Sequence, residues 1–101
     1  MDKKFFFLKL LPPRPTFAMD MNEQERAVMM QHIAYWKVYQ DQGICPVIGP
    51  VFDPKGGYGM GIMEVESEDV VKELTSNDPV IKAGLGTYEF YPMRAVFGKK
   101  L

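Results

Sequence analysis

The sequence predicts an α+β domain in which a four-stranded antiparallel sheet carries helices on one face, in the order β-α-β-β-α-β. Three observations predict it. Four runs rich in β-branched, aromatic and other apolar residues are set off by proline and glycine clusters. Two longer stretches between them repeat apolar residues at helical spacing and begin with capping residues. Proline falls inside only two of the four strands.

The first strand is "KKFFFLKLL", residues 3–11, ended by Pro12 and Pro13. Side chains alternate along a strand, so Phe5 and Phe7 point one way and Phe6, Leu8 and Leu10 the other. A polar loop follows, and a helix opens near residue 22. Asn22 with Glu25, or Asp20 with Glu23, has the form of a capping box, and the sequence does not choose between them. The helix runs to about Gln42 and stops at Gly43, which tolerates positive φ. "ICPVIGPVF", residues 44–52, is the second strand, "DPKGG" a turn, and "YGMGIMEVE" the third strand. Ser67 is placed to cap a second helix, "SEDVVKELTSN", whose first turn carries Glu68 and Asp69 where the helix dipole favours acids. "DPVIKAG" is one more helical turn, with Asp78 as cap, Pro79 first inside and Gly84 just past the end. The last strand spans residues 87–97, and "GKKL" is a tail.

In the common split βαβ arrangement these strands lie in the order 4-1-3-2. A central strand needs every backbone donor, so proline belongs at edges, strand ends and bulges. Pro46 and Pro50 lie in strand two and Pro92 in strand four, the two edges of that order. With both helices on one face, the other face is bare. Strands one and three are nevertheless apolar on both faces: Met60 and Ile62 alternate with Met63 and Val65. An apolar sheet face is more than a monomer normally leaves in water. The expectation is a symmetric homodimer formed sheet against sheet.

Composition narrows the functional classes. The chain of 101 residues makes one domain, residues 1–101, and 47% hydrophobic residues suit a compact core. A net charge of −1, with lysine and glutamate interspersed, offers no basic stripe, so nucleic acid is not an expected partner. The opening "MDKKFFFLKLL" has lysines before an apolar run, but Lys9 interrupts it and no small-residue cleavage site follows. No segment approaches the ~20 apolar residues of a membrane span. A cytoplasmic protein without a membrane partner is expected. One cysteine, Cys45, and one histidine, His32, do not make a zinc site, and Cys45 lacks a second histidine to activate it. Cys45 is read as a packing residue.

"GGYGMG", residues 56–61, has neither the third glycine of a dinucleotide loop nor a Gly-Lys-Ser/Thr step. It is read as a hairpin turn feeding a strand whose Gly59 and Gly61 admit a close neighbour, a helix or a ligand. The eight methionines are read as adaptable core filling. The lone histidine is more informative. At ~100° per residue, Tyr39 lies roughly 20° from His32, Val28 and Trp36 roughly 40°, and Met29 and Tyr35 roughly 60°. His32 thus sits at the centre of the apolar face. It is either a core histidine satisfied by backbone groups or a proton-transfer group oriented by a carboxylate. Asp78 is one candidate from its position at the end of the elements covering the sheet; Glu25, two turns earlier on the same helix face, is the competitor. Tyr35, Trp36 and Tyr39 pack helix to sheet, and their polar tips are also placed to line a pocket.

"QHIAYWKVYQDQG", the "GP" of residues 49–50, "GGYGMGIMEVES", and "NDPVIKAG" followed by "YEFYPMRAV" resemble, in order and spacing, the YCII-related (YciI-like) family over nearly the whole chain. The resemblance implies a ferredoxin-like fold assembled as a dimeric α/β barrel, with a site pairing the helix histidine with the aspartate of the Asp-Pro step. These map onto His32 and Asp78, with Gly49 and Pro50 bordering the pocket beside Tyr35 and Trp36. The family is similar in fold to muconolactone isomerases and has a chloromuconolactone dehalogenase among its relatives. The connection "PPRPTFAMDMNEQER" is longer here than in shorter members.

The expected function is therefore a cofactor-independent enzyme acting on a small carbonyl- or lactone-type molecule by elimination, isomerisation or dehalogenation. His32 would transfer the proton and Asp78 orient it, with Arg14 or Arg94 as candidates to bind an acidic substrate. The alternatives are a non-catalytic small-ligand-binding module and a structural dimerisation protein.

Overall fold

A computed structural model of the chain describes residues 3–98. The elements are β1 (Lys4–Leu11), α1 (Phe17–Asp20), α2 (Glu23–Asp41), β2 (Val47–Val51), β3 (Tyr58–Val65), α3 (Glu68–Ser76), α4 (Pro79–Lys82) and β4 (Thr87–Met93). The four strands form one antiparallel sheet in the order β2-β3-β1-β4, the 4-1-3-2 order read from its other edge. The fold is ferredoxin-like α+β.

Registers fix which residues share a face. Phe6 opposes Met63 and Pro92, Leu8 opposes Gly61 and Phe90, and Leu10 opposes Gly59 and Tyr88. Phe6, Leu8, Met63 and Val65 are buried with Trp36 of α2 and Val71 and Leu74 of α3, so the long helices cover this one face. The other face carries Phe5, Phe7, Leu11, Met60 and Ile62, all half-buried, with Tyr91 51% exposed. Within the chain, the close neighbours of the two β3 glycines come from β1, β2 and the segment before β2 rather than from a helix. A Cβ at Gly59 would stand 3.2 Å from the Leu10 Cβ, and one at Gly61 would stand 3.5 Å from the Cys45 Sγ. Cys45 itself is fully buried in the core, and burial pushes its thiol up to about 11.

Several boundaries differ from the sequence reading, each for a local reason. The loop before α2 contains a helical turn, α1, held by Arg14, whose Nε donates to Asp20 Oδ1 at 2.8 Å and whose Nη2 donates to the Asp20 carbonyl at 3.0 Å. Asp20 is thereby committed, and the capping box forms between Asn22 and Glu25. Strand β2 begins at Val47, because Ile44 and Cys45 still donate to the Tyr39 carbonyl as the helix ends. Strand β4 ends at Met93, whose pairing with Phe5 is the last between β4 and β1. Ser67 occupies the cap position of α3, but its hydroxyl makes no capping bond. Of the expected tail, residues 99–101 lie outside the described residues.

Candidate active site

The site is built where α2, the turn into α4 and the start of β4 meet. Trp36 and His32 are one helical turn apart on α2 and present the same face. Asp78 precedes Pro79, and its Oδ1 accepts the Val80 amide at 2.9 Å, which caps α4 and fixes the carboxylate's direction. Tyr88 follows on β4, its side chain on the helix-covered face in the row of Leu10 and Gly59.

Asp78 is 0% exposed, yet none of its oxygens is unpaired. Three donors converge on Oδ2: His32 Nδ1 at 2.7 Å, Trp36 Nε1 at 2.8 Å and the Tyr88 hydroxyl at 2.6 Å. Trp36 Nε1 is shared with the Tyr88 oxygen at 3.2 Å. Burial pushes the Asp78 carboxyl up, but the bonds from His32, Tyr88, Trp36 and the Val80 amide outweigh it and hold the group below the ordinary carboxylate range. An ionised carboxylate only accepts, so the shared hydrogen sits on His32 Nδ1. The neutral ring then keeps its lone pair on Nε2. That atom has no bond to any described residue, and no buried side-chain nitrogen or oxygen among them is left unpaired, so Nε2 reaches solvent. The His32 side chain as a whole is 12% exposed. Burial, then the Asp78 charge and the bond to it, push the Tyr88 hydroxyl upward, so it stays protonated and acts as a donor.

The remaining candidates are distributed unevenly. Trp36 is buried and points its only donor at Asp78, so it contributes a hydrogen bond and packing rather than a solvent-facing wall. The Tyr35 hydroxyl donates to the Leu74 carbonyl at 2.7 Å. Pro50 lies on the helix-covered face in the row of Tyr88, at the far edge of the sheet, and Gly49 lies on the opposite face. Glu25 does not reach His32. It forms a bidentate pair with Arg14 at 2.8 and 2.9 Å, and that guanidinium, with the Asn22 amide, lowers its carboxyl to about 2. Arg14 is thus occupied by two internal acids. It borders a cleft of about 320 Å³ with Lys9, Lys55 and Tyr58, while Arg94 borders one of about 400 Å³ with Lys4 and Met93; His32 lines neither. Among the described residues no group of acidic, histidine or cysteine side chains is arranged to hold a metal ion. Among the described residues, no helix is long and apolar enough to cross a membrane.

Tyr88 is the member of the network that sequence reasoning missed. Alternation in "TYEFY" does place Tyr88 and Phe90 on one face, but nothing local brings the hydroxyl to a residue ten positions earlier.

Comparison with known proteins places the arrangement in context. The YCII-related domain matches residues 5–95. Among solved structures the chain is similar to a 5-chloro-2-hydroxyhydroquinone dehydrochlorinase (TftG) of Burkholderia phenoliruptrix AC1100, in complex with 2,5-dihydroxybenzoquinone. Identity is 25% and the TM-score 0.66, over 88% of this chain and 93% of the other. No curated protein matches the chain.

Proposed function

The chain belongs to the YCII-related family, and from that premise we propose that it is a cofactor-independent enzyme using His32 and Asp78 as an acid–base pair on a small carbonyl-, hydroxyquinone- or lactone-type substrate. One observation carries the reading: His32 Nδ1 lies 2.7 Å from Oδ2 of the fully buried Asp78, while Nε2 has no bond to any described residue. A positioned imidazole of this kind contributes about 10²–10⁴-fold to a proton transfer. Nε2 takes a proton from a carbon or hydroxyl adjacent to the substrate carbonyl. The electron pair left behind expels a leaving group in an elimination, chloride in a dehalogenation, or moves a double bond in an isomerisation. Asp78 holds the tautomer and stabilises the imidazolium formed. The similarity to a dehydrochlorinase supports elimination as the first reaction to try. The half-buried apolar face of the sheet supports a homodimer, for which about 800 Å² per partner is an ordinary interface.

The test is chloride release from chlorinated hydroxyhydroquinones and rearrangement of unsaturated lactones, with ligand affinity measured alongside by calorimetry. His32→Ala is expected to lower kcat/KM by about 10²-fold or more while affinity changes little. Turnover unaffected in His32→Ala would overturn the reading. Binding without turnover across the substrates would favour a ligand-binding module.

A further inference from the structure

We propose that Tyr88 and Trp36 are positioning residues that set how strongly Asp78 holds the proton of His32, an inference that rests on the acid–base reading of that pair. The observation is the crowding of one oxygen. Asp78 Oδ2 receives three side-chain donors from two different elements, whereas Oδ1 receives only the Val80 amide. Orienting an imidazole requires one acceptor and one bond. The two additional donors do something further. Each charge-assisted bond to a carboxylate withdraws negative charge from the oxygen it shares and makes that oxygen a weaker base toward its other partners.

The geometry defines a division of labour. The Val80 amide fixes the direction of the carboxylate from the backbone side. Trp36, rooted one turn from His32 on the same helix, donates to the same Oδ2 that the ring meets, and shares its N–H with the Tyr88 oxygen. Tyr88 makes the shortest of the four bonds, 2.6 Å, and comes from the sheet rather than from a helix. Its hydroxyl therefore ties the pair to the sheet. It also competes with Nδ1–H for the same oxygen.

Removing that competitor frees charge on Oδ2. The imidazolium form of His32 is then better stabilised, and the ring keeps its second proton to a higher pH. The titratable groups near the pair come from several elements. Asp78 comes from the α4 cap, Tyr88 from β4, and Tyr35 from α2, where burial first and then Tyr39, Asp78 and Glu73 of α3 push its hydroxyl up. On α2 itself Glu25 lies two turns away and is neutralised by Arg14. Of these, only Asp78 and Tyr88 belong to the hydrogen-bonded network of His32.

The chain has one histidine, so a nitrogen-15 NMR titration of the 101-residue chain reads His32 without ambiguity and without any substrate. Tyr88→Phe removes one oxygen and conserves the ring's packing; retention of the fold is checked by circular dichroism. The midpoint for His32 is expected to rise by about half a pH unit or more. Tyr91→Phe removes a hydroxyl that donates to Glu89 on the other face of the sheet, and is expected to leave the midpoint in place. An unchanged or lowered midpoint in Tyr88→Phe, or an equal rise in Tyr91→Phe, would overturn the inference. Failure of all substrates to turn over would defeat the enzymatic reading and leave this measurement intact, so the two are separately testable.

Discussion

The two faces of the sheet are built from similar residues and meet different fates. On one, Phe6, Leu8 and Met63 are buried beneath α2 and α3; on the other, Phe5, Phe7, Met60 and Ile62 remain half-buried. Yet it is the covered, drier side that contains the charged group. Asp78 sits there without solvent because the cap of α4, the indole of Trp36, the Tyr88 hydroxyl and His32 all donate to it. The bare face keeps few such devices: Tyr91 donates to Glu89 on its own strand, and Lys9 stands over the Tyr58 ring. Apolar content therefore does not distinguish the faces. What distinguishes them is how many polar atoms are given partners inside the chain, which supports the proposed chemistry on the first and the proposed second copy on the other.

The largest effect should come from removing the buried acid. Asp78→Ala leaves the Val80 amide, the Tyr88 hydroxyl and His32 Nδ1 without their acceptor, and Trp36 Nε1 with only its longer bond to the Tyr88 oxygen. Breaking a buried charged network from one side costs about 3–5 kcal/mol. Urea denaturation should show that loss, and Asp78→Asn, which keeps an acceptor oxygen, should lose less. Equal and small losses in both would mean that the network contributes little to the covered face.

On the bare face the corresponding change is Phe7→Lys. In the isolated chain it should cost little, since the side chain is only half-buried. In a sheet-to-sheet dimer it removes about 2 kcal/mol of apolar burial per copy and sets two cations across the two-fold axis. Sedimentation velocity at micromolar concentration should show a wild-type dimer and a Phe7→Lys monomer of unchanged helix content. A wild-type monomer would end the homodimer proposal.

The covered face was readable where its signals are local. Alternation in β1, proline at the two edges and the Asp78-Pro79 start of α4 each follow from one short stretch, and the structure has these elements with that strand order. The contact of His32 with Asp78 spans 46 positions and was reachable only by combining helix periodicity with the fold and the family resemblance. Tyr88 was not reachable, because its role depends on how close α4 approaches β4. The α1 turn was missed for a similar reason: Arg14 reaches across to the side chain and carbonyl of Asp20, and the sequence between gives no sign of it.

The pairing of Arg14 with Glu25 gives the pH prediction, on the edge of the covered side. Glu25 has a folded value of about 2 against an ordinary 4.5. A depressed acid stabilises fully above its ordinary value, and the contribution is lost as pH falls through the folded one. Asp78 acts in the same direction. Thermal midpoints of the wild type should therefore hold above about pH 4.5 and decline toward pH 2. Glu25→Gln, which keeps the cap geometry but not the charge, should be less stable at neutral pH and decline less steeply. A parallel decline would show that Arg14 does not stabilise Glu25.

The smallest expected effect concerns the start of α2, the helix that carries His32 and covers the sheet. Two capping boxes were possible from sequence, and only one forms, because Arg14 and Thr16 take the carboxylate of Asp20. Asn22 Oδ1 accepts the Glu25 amide at 2.8 Å, and Glu25 Oε1 accepts the Asn22 amide at 2.9 Å. Asn22→Ala should cost about 1 kcal/mol, and Asn22→Ser only a few tenths, since serine caps nearly as well. His32 lies ten residues further on, about 15 Å along the axis, so fraying of the first turn should leave the His32–Asp78 bond unbroken. The two effects separate in one pair of measurements: urea midpoints should fall in Asn22→Ala, while the His32 titration should coincide with that of the wild type. A titration that moved with the cap would mean that the Arg14–Glu25 clamp and the His32–Asp78 pair behave as one unit, and the covered face would then be a single cooperative network rather than a site resting on a helix.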